Sequence, residues 1–259
     1  MKVAQGGQMQ EIVVTHRDRA AEIRLNRAGK KNAITSAMYA AMADALDAAA
    51  NDASVRVVTI LGSGGIFTAG NDIEDFMRTP PLDTDQPVFR FLRALVSFPK
   101  PVVAGVDGLA IGIGTTMLLH CDIVLAAPNA SFSMPFVDLA LVPEAASSLL
   151  FPRLVGQQRA AMHLLLGEPF DAATAKDFGL VAEIVEPDRL DEKVAQLAVR
   201  IAAKPPEALR IAKALLRAEP EPVVARMERE GMAFASRLTS PEAAEAFRAF
   251  FEKRPPNFN

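Results

Sequence analysis

A chain of 259 residues, 50% hydrophobic and 23% charged, can bury one large core plus an appendage, and it reads as a soluble globular protein. Its formal charge of -3, its pI near 5.7 and the lack of any long basic run argue against nucleic acid as a main partner. Trp is absent and Tyr39 stands alone, which removes base-stacking platforms; a single cysteine, Cys121, excludes an intrachain disulfide. The opening MKVAQGGQMQEIVV lacks a charged-then-apolar signal pattern, so a cytoplasmic location is expected.

In chain order, Glu11 to His16 and Ala21 to Asn26 are two β-like runs around Arg17-Asp18-Arg19, which predicts a hairpin. Thr35 is an N-cap candidate for a helix from Ser36 to about Ala50, with Met38, Met42, Leu46 and Ala49 on one stripe. Val55 to Leu61 is a buried strand that runs into the turn Gly62-Ser63-Gly64-Gly65. Residues 79–87 form a loop, and Val88 to Phe98 a helix with Phe89, Leu92 and Val96 inward. Two further short strands, Ile123 to Ala126 and Ser131 to Met134, precede a helix that begins over Val142 to Ser148. From Gln157 the pattern is mainly helical, broken by a strand-like Val181 to Val185, by Pro205-Pro206 and by Pro220 to Pro222. Strands alternating with helices predict a mixed sheet flanked by helices in an α/β core over residues 1–186. The helical region 187–259 then needs a surface to dock on, either the body or a neighbouring subunit.

The stretch Pro99 to Asp122 organises the rest. Pro101 to Val106 has the apolar, β-branched character of a strand buried on both faces, Gly105, Gly108, Gly112 and Gly114 punctuate the chain from its end onward, and Thr115 to Cys121 opens a buried helix. Such a junction presents unpaired N–H groups and suits an anion or oxyanion, although glycines in an apolar run equally serve close packing. Met117 stands where a dinucleotide-binding turn wants its third glycine, and no Gly-Lys-Ser/Thr occurs for a P-loop. Asp107, His120 and Asp122 interrupt the run within the length a membrane span requires.

Three separate features suit a single chemistry. The turn Thr68-Ala69-Gly70-Asn71-Asp72 offers an N–H at Ala69, the glycine turn offers one at Ile113, and Glu144 lies among Leu141, Val142 and Ala145. Two convergent N–H groups stabilise an enolate oxygen, each donor being worth on the order of 3 kcal/mol in the transition state. A desolvated glutamate has a raised pKa suited to moving a carbon-bound proton. His16, His120 and His163 show no metal-ligand spacing, and Ser147 and Ser148 lack a nucleophile motif, so neither metal nor organic cofactor is expected.

The sequence resembles the crotonase, or enoyl-CoA hydratase/isomerase, superfamily over almost its whole length. The marks are Leu25-Asn26-Arg27 with Lys31-Asn32-Ala33, Phe67 to Asp72, Pro99 to Ala104, Gly108-Leu109-Ala110 with Cys121-Asp122, and Pro143-Glu144. The resemblance implies a spiral of ββα units, a C-terminal helical trimerisation region, a homotrimer or dimer of trimers, and an acyl-CoA thioester held between the Ala69 and Ile113 amides. It further implies that Thr68, Gly70, Asn71, Asp72 and Ile73 wrap the CoA, that Lys31 approaches its phosphates, and that Lys253 reaches those of a neighbouring subunit.

Hydratases of the family use two glutamates, and Thr116 stands where the first would be. Glu144 remains, in a Pro-Glu-Ala-Ala-Ser-Ser context similar to the peroxisomal-type Δ3,Δ2-enoyl-CoA isomerases, and one base suffices for a 1,3-proton shift. The expectation is therefore an isomerase taking 3-enoyl-CoA to trans-2-enoyl-CoA. The alternatives are a hydratase working with Glu144 alone and a catalytically silent acyl-CoA-binding or RNA-binding relative.

Overall fold

The computed structural model describes residues 10–78, 86–217 and 240–258. The predicted hairpin forms from β1 (Ile12–Arg17) and β2 (Ala20–Leu25), antiparallel with Arg17 opposite Ala20. Asp18 and Arg19 both take positive φ (50° and 64°), the backbone a two-residue hairpin loop needs to match the strand twist. Strands β3 (Val57–Gly62), β4 (Val102–Val106), β6 (Ile123–Ala126) and β9 (Glu183–Ile184) continue the sheet in parallel, in the order β1-β2-β3-β4-β6-β9. Every residue of β4 is buried, as its unbroken apolar run requires of a central parallel strand.

Helices cover both faces. On one side lie α1 (Ser36–Asn51), opened by Thr35 Oγ1 accepting from the Met38 amide at 3.3 Å, and α3 (Pro87–Val96), which follows the short α2 (Ile73–Arg78). A cap of this kind is worth about 1 kcal/mol. Met38, Met42, Leu46 and Ala49 are all buried, as the stripe predicts. On the other side α8 (Pro187–Ala202) lays Leu190, Val194, Ala198 and Ala202 on Val57, Leu61, Val103 and Leu125. Each of the larger of these side chains contributes at most about 1.5–3 kcal/mol by leaving water. The start of the C-terminal helical region thus docks on the body itself, and α9 (Pro206–Leu216) and α10 (Pro241–Glu252) follow.

Three expectations change. The inward face of α3 is Phe91, Leu92 and Leu95, while Val96 points to solvent; the Tyr39 ring, 5.6 Å from that of Phe91, selects this rotation of an ambiguous apolar pattern. The glycine-rich turn contains a strand, β5 (Leu109–Ile111), which pairs in parallel with β7 (Ser131–Ser133), itself antiparallel to β8 (Phe170–Asp171). After β5 come the single-turn α4 (Ile113–Thr116) and a 3₁₀ turn, Met117–His120, in place of one continuous helix. Lastly, α5 (Ser147–Val155) starts later than expected, because Ala145 and Ala146 are both left-handed (φ 51° and 56°) and hold residues 142–146 in a loop. The remaining helices, α6 (Gln157–Leu165) and α7 (Ala172–Asp177), complete the described fold. Most of the loop at 79–87 and the break at Pro220 to Pro222 lie outside the described residues.

Candidate active site

Two turns meet at the C-terminal edge of the sheet. Thr68 bridges Ala110: its amide donates to the Leu109 carbonyl (2.8 Å) and its carbonyl accepts from Ile111 (3.1 Å). The approach is close enough to demand glycine twice. A Cβ on Gly70, at φ 88°, would stand 2.8 Å from the Ile111 carbonyl oxygen, and one on Gly114 would stand 2.5 Å from Thr68 Cγ2. The spacing of these glycines, first readable as packing or as a ligand cradle, serves to bring Ala69 and the start of α4 into one place.

Gly112, at φ 56° and ψ -117°, turns the chain from β5 into α4, and its carbonyl accepts from Thr115 (2.9 Å) and Thr116 (3.0 Å). Ile113 therefore sits at the helix start, where an amide has no intrahelical partner, and its N–H donates to nothing among the described residues. The Ala69 amide differs from expectation: it donates to the Lys31 carbonyl at 2.9 Å. A ligand oxygen at Ala69 must share that N–H or displace the carbonyl. Lys31 and Asn32 are both left-handed (φ 53° and 54°), and Asn32 Nδ2 anchors the loop to the carbonyls of Ser63 (3.0 Å) and Ile66 (2.6 Å).

Glu144 turns its carboxyl inward. Oε1 accepts from Thr116 Oγ1 at 2.5 Å, while Oε2 is buried with no partner among the described residues. Burial pushes its pKa from 4.5 up to about 7, against the opposing effect of the Thr116 hydrogen bond. The expected direction and its cause, desolvation, both hold, but of the neighbours expected to supply it Leu141 and Val142 are 44% and 77% exposed, and only Ala145 packs on the core. The loop is pinned through its carbonyls instead, Glu144 O accepting from Ser147 N (2.9 Å) and Oγ (2.7 Å), and Ala145 O from His120 Nε2 (2.8 Å).

The other candidate residues have mixed placements. Thr68 is fully buried, its hydroxyl donating to Asn32 O (2.7 Å) and accepting from Gly70 N (3.0 Å), so its side chain is spent inside the protein. Asp72 is held by Arg27 Nη1 (2.7 Å) and the Asp75 amide (3.1 Å), and Arg27 keeps its carboxyl below the usual range. Asn71 Oδ1 accepts from Tyr39 OH at 2.5 Å. Ile73 opens α2 with 56% of its surface exposed. Lys31 is exposed beside Ala69, and Lys253, exposed just beyond α10, makes no ion pair among the described residues.

Tyr39 carried no functional signal in the sequence. It is buried on α1, and the Glu144 charge adds to burial in pushing its phenol upward, so it lies within electrostatic reach of the carboxyl. The only hint was a polar ring adjoining the apolar stripe. Among the described residues no group of three or more His, Cys, Asp or Glu could hold a metal ion, and no helix is long and apolar enough to cross a membrane.

A mostly parallel sheet layered with helices, carrying a buried carboxylate at Glu144 and an open backbone amide at Ile113, defines a crotonase-fold α/β protein. Residues 16–259 match the family model for enoyl-CoA hydratase/isomerase, and the chain belongs to that family. It is 33% identical to the 2,3-dehydroadipyl-CoA hydratase of Escherichia coli, covering 96% of this chain and 99% of that protein. It is also 33% identical to the peroxisomal enoyl-CoA delta isomerase 3 of Mus musculus, over 94% of this chain and 79% of that one. A solved structure from Magnetospirillum magneticum, described as an enoyl-CoA hydratase/carnithine racemase, superposes with a TM-score of 0.94 at 43% identity, covering 97% of this chain and all of that one.

Proposed function

We propose that this protein moves the double bond of a 3-enoyl-CoA to give the trans-2-enoyl-CoA, with Glu144 as the only acid/base. The observation that carries the reading is the pairing of Glu144 with a hydroxyl, Thr116, rather than with a second carboxyl. Oε2, buried and unpartnered among the described residues, takes a C2 proton; Oε1 stays on Thr116; the dienolate oxygen rests on the Ile113 amide and on Ala69 N–H as it leaves the Lys31 carbonyl; and Oε2 returns the proton at C4. A base that titrates near 7 is matched to both halves of that transfer. Addition of water is better served by two proton-trading groups, and a threonine hydroxyl does not titrate near neutrality.

The CoA portion would lie along Gly70 to Ile73, with Lys31 and a neighbouring subunit's Lys253 toward its phosphates, in a homotrimer or dimer of trimers. The chemistry needs neither metal nor organic cofactor. Relatives named as hydratases and as isomerases stand at equal identity. The test is a side-by-side assay of the purified protein with 3-enoyl-CoA and 2-enoyl-CoA. Isomerisation should be faster; faster hydration replaces this reading with that of a single-glutamate hydratase.

A further inference from the structure

We infer that His120 is a positioning residue for Glu144, acting through the Ala145 carbonyl. The inference rests on Glu144 being the base, and its test separates the two.

His120 ends the 3₁₀ turn that continues α4, so one segment of eight residues, 113–120, carries the open Ile113 amide, the Thr116 hydroxyl and the His120 ring. The ring is 4% exposed, and its Nε2 stands 2.8 Å from Ala145 O. A carbonyl only accepts, so Nε2 carries the proton, and burial holds the imidazole neutral by lowering its pKa.

The bond matters because of what it restrains. Ala145 and Ala146 occupy left-handed backbone, which costs a non-glycine residue roughly 1–2 kcal/mol each. Left alone, the loop would relax toward ordinary backbone and swing the Glu144 side chain, which precedes the strained pair, off Thr116. Ser147 secures the Glu144 carbonyl and His120 the next one, so two successive peptide planes are fixed and the carboxyl is aimed.

The residue is also held through its backbone. Arg217 Nη2 donates to the His120 carbonyl (2.5 Å) and pairs with Asp122 Oδ1 (2.8 Å), and Asp122 Oδ2 is held by Lys213 Nζ (2.8 Å) and the Val102 amide (2.7 Å). His120 is thereby braced between β4, α9 and the loop it holds. Its donor falls where proton transfer demands placement within a fraction of an ångström.

The experiment compares His120→Gln, His120→Asn and His120→Leu in the full chain. Gln places its amide nitrogen near the original Nε2, Asn stops short at the depth of Nδ1, and Leu offers no donor. Asn and Leu should lose about tenfold or more in kcat with KM within about twofold, while Gln recovers most of kcat. Should Leu fail to fold, the Gln and Asn pair, equal in polarity, still decides. Equal kcat in Gln and Asn, or a folded Leu variant at wild-type kcat, overturns the role of His120. Glu144→Gln assayed alongside keeps the outcomes apart: if it is inactive while the His120 variants are normal, Glu144 stands and the positioning claim alone falls, whereas an active Glu144→Gln removes the underlying reading.

Discussion

Thr116 Oγ1 donates to Glu144 Oε1 at 2.5 Å, joining the end of α4 to a loop 28 residues later and leaving Oε2 as the oxygen without a partner among the described residues. This bond stabilises the ionised carboxylate and opposes the upward push of burial on its pKa. Thr116→Val should therefore move the Glu144 titration above about 7. Because the base must be ionised to act, kcat/KM should rise with pH through about 7 in the wild type and through a higher midpoint in the variant. A hydrogen bond to a charged group contributes roughly 1.5–3 kcal/mol, enough to displace the midpoint by about one pH unit or more. A pH–rate profile with an unmoved midpoint counts against this pairing.

Glu144→Gln should retain acyl-CoA affinity and lose turnover by several orders of magnitude. It should also change how stability depends on pH. With the folded pKa raised to about 7 from 4.5, the unfolded chain releases a proton in that window which the folded protein keeps, so this group's contribution to stability falls as pH rises from 4.5 to about 7 and is level above. The variant should gain on the wild type across the same window, by up to about 3 kcal/mol. Urea unfolding at pH 5 and pH 8 reads the difference; equal margins at both would mean that the carboxyl is not desolvated.

Gly114→Ala drives a methyl into Thr68 Cγ2, 2.5 Å away, and should cost about 1–3 kcal/mol while pushing the Ala69 turn from the Ile113 amide. Thr68→Ser removes that methyl and keeps the hydroxyl that bonds Asn32 O. The double variant should recover both melting temperature and activity. Additive losses in a double-mutant cycle would show that the contact is not the cause.

Ala69→Pro deletes an N–H that the structure assigns to Lys31 O, so it should lower the melting temperature as well as turnover, whereas Ala69→Ser keeps the donor and should do little. To separate the loop from the oxyanion role, binding of an acyl-CoA thioester is compared with that of a CoA thioether lacking the carbonyl. Proline should weaken the thioester preferentially; equal weakening assigns Ala69 to the loop alone.

Thr116→Glu supplies a second carboxyl and should raise hydration of 2-enoyl-CoA. The gain will be modest, since two acids in contact raise one another's pKa. No gain in a variant that still isomerises would place the limit on hydration elsewhere than in the missing acid.

Much of this protein was legible in local pattern. The Met38-Met42-Leu46-Ala49 stripe after Thr35, the unbroken apolar run of β4 and the paired β-like runs at the start each carry their own period, and each forms as read. The combination of the Phe67 to Asp72 turn, the glycine stretch and Pro143-Glu144 sufficed to nominate Glu144, Ala69, Ile113 and the telling Thr116.

What sequence neighbours could not supply is what distant segments do to one another. Leu141 and Val142, two of the apolar residues near Glu144, turn out to face solvent, and the carboxyl is desolvated where its side chain enters the fold, 28 residues away at Thr116 and near Tyr39. The Ala69 amide looked free because its acceptor, Lys31 O, is brought to it only when Asn32 ties the loop to Ser63 and Ile66. Two alanines take left-handed backbone against their intrinsic preference in a loop whose Glu144 and Ala145 carbonyls are held by Ser147 and His120. The sequence determined which groups are present and which elements carry them; long-range hydrogen bonds and burial decided which Glu144 oxygen and which amide are open among the described residues and how that carboxyl is held.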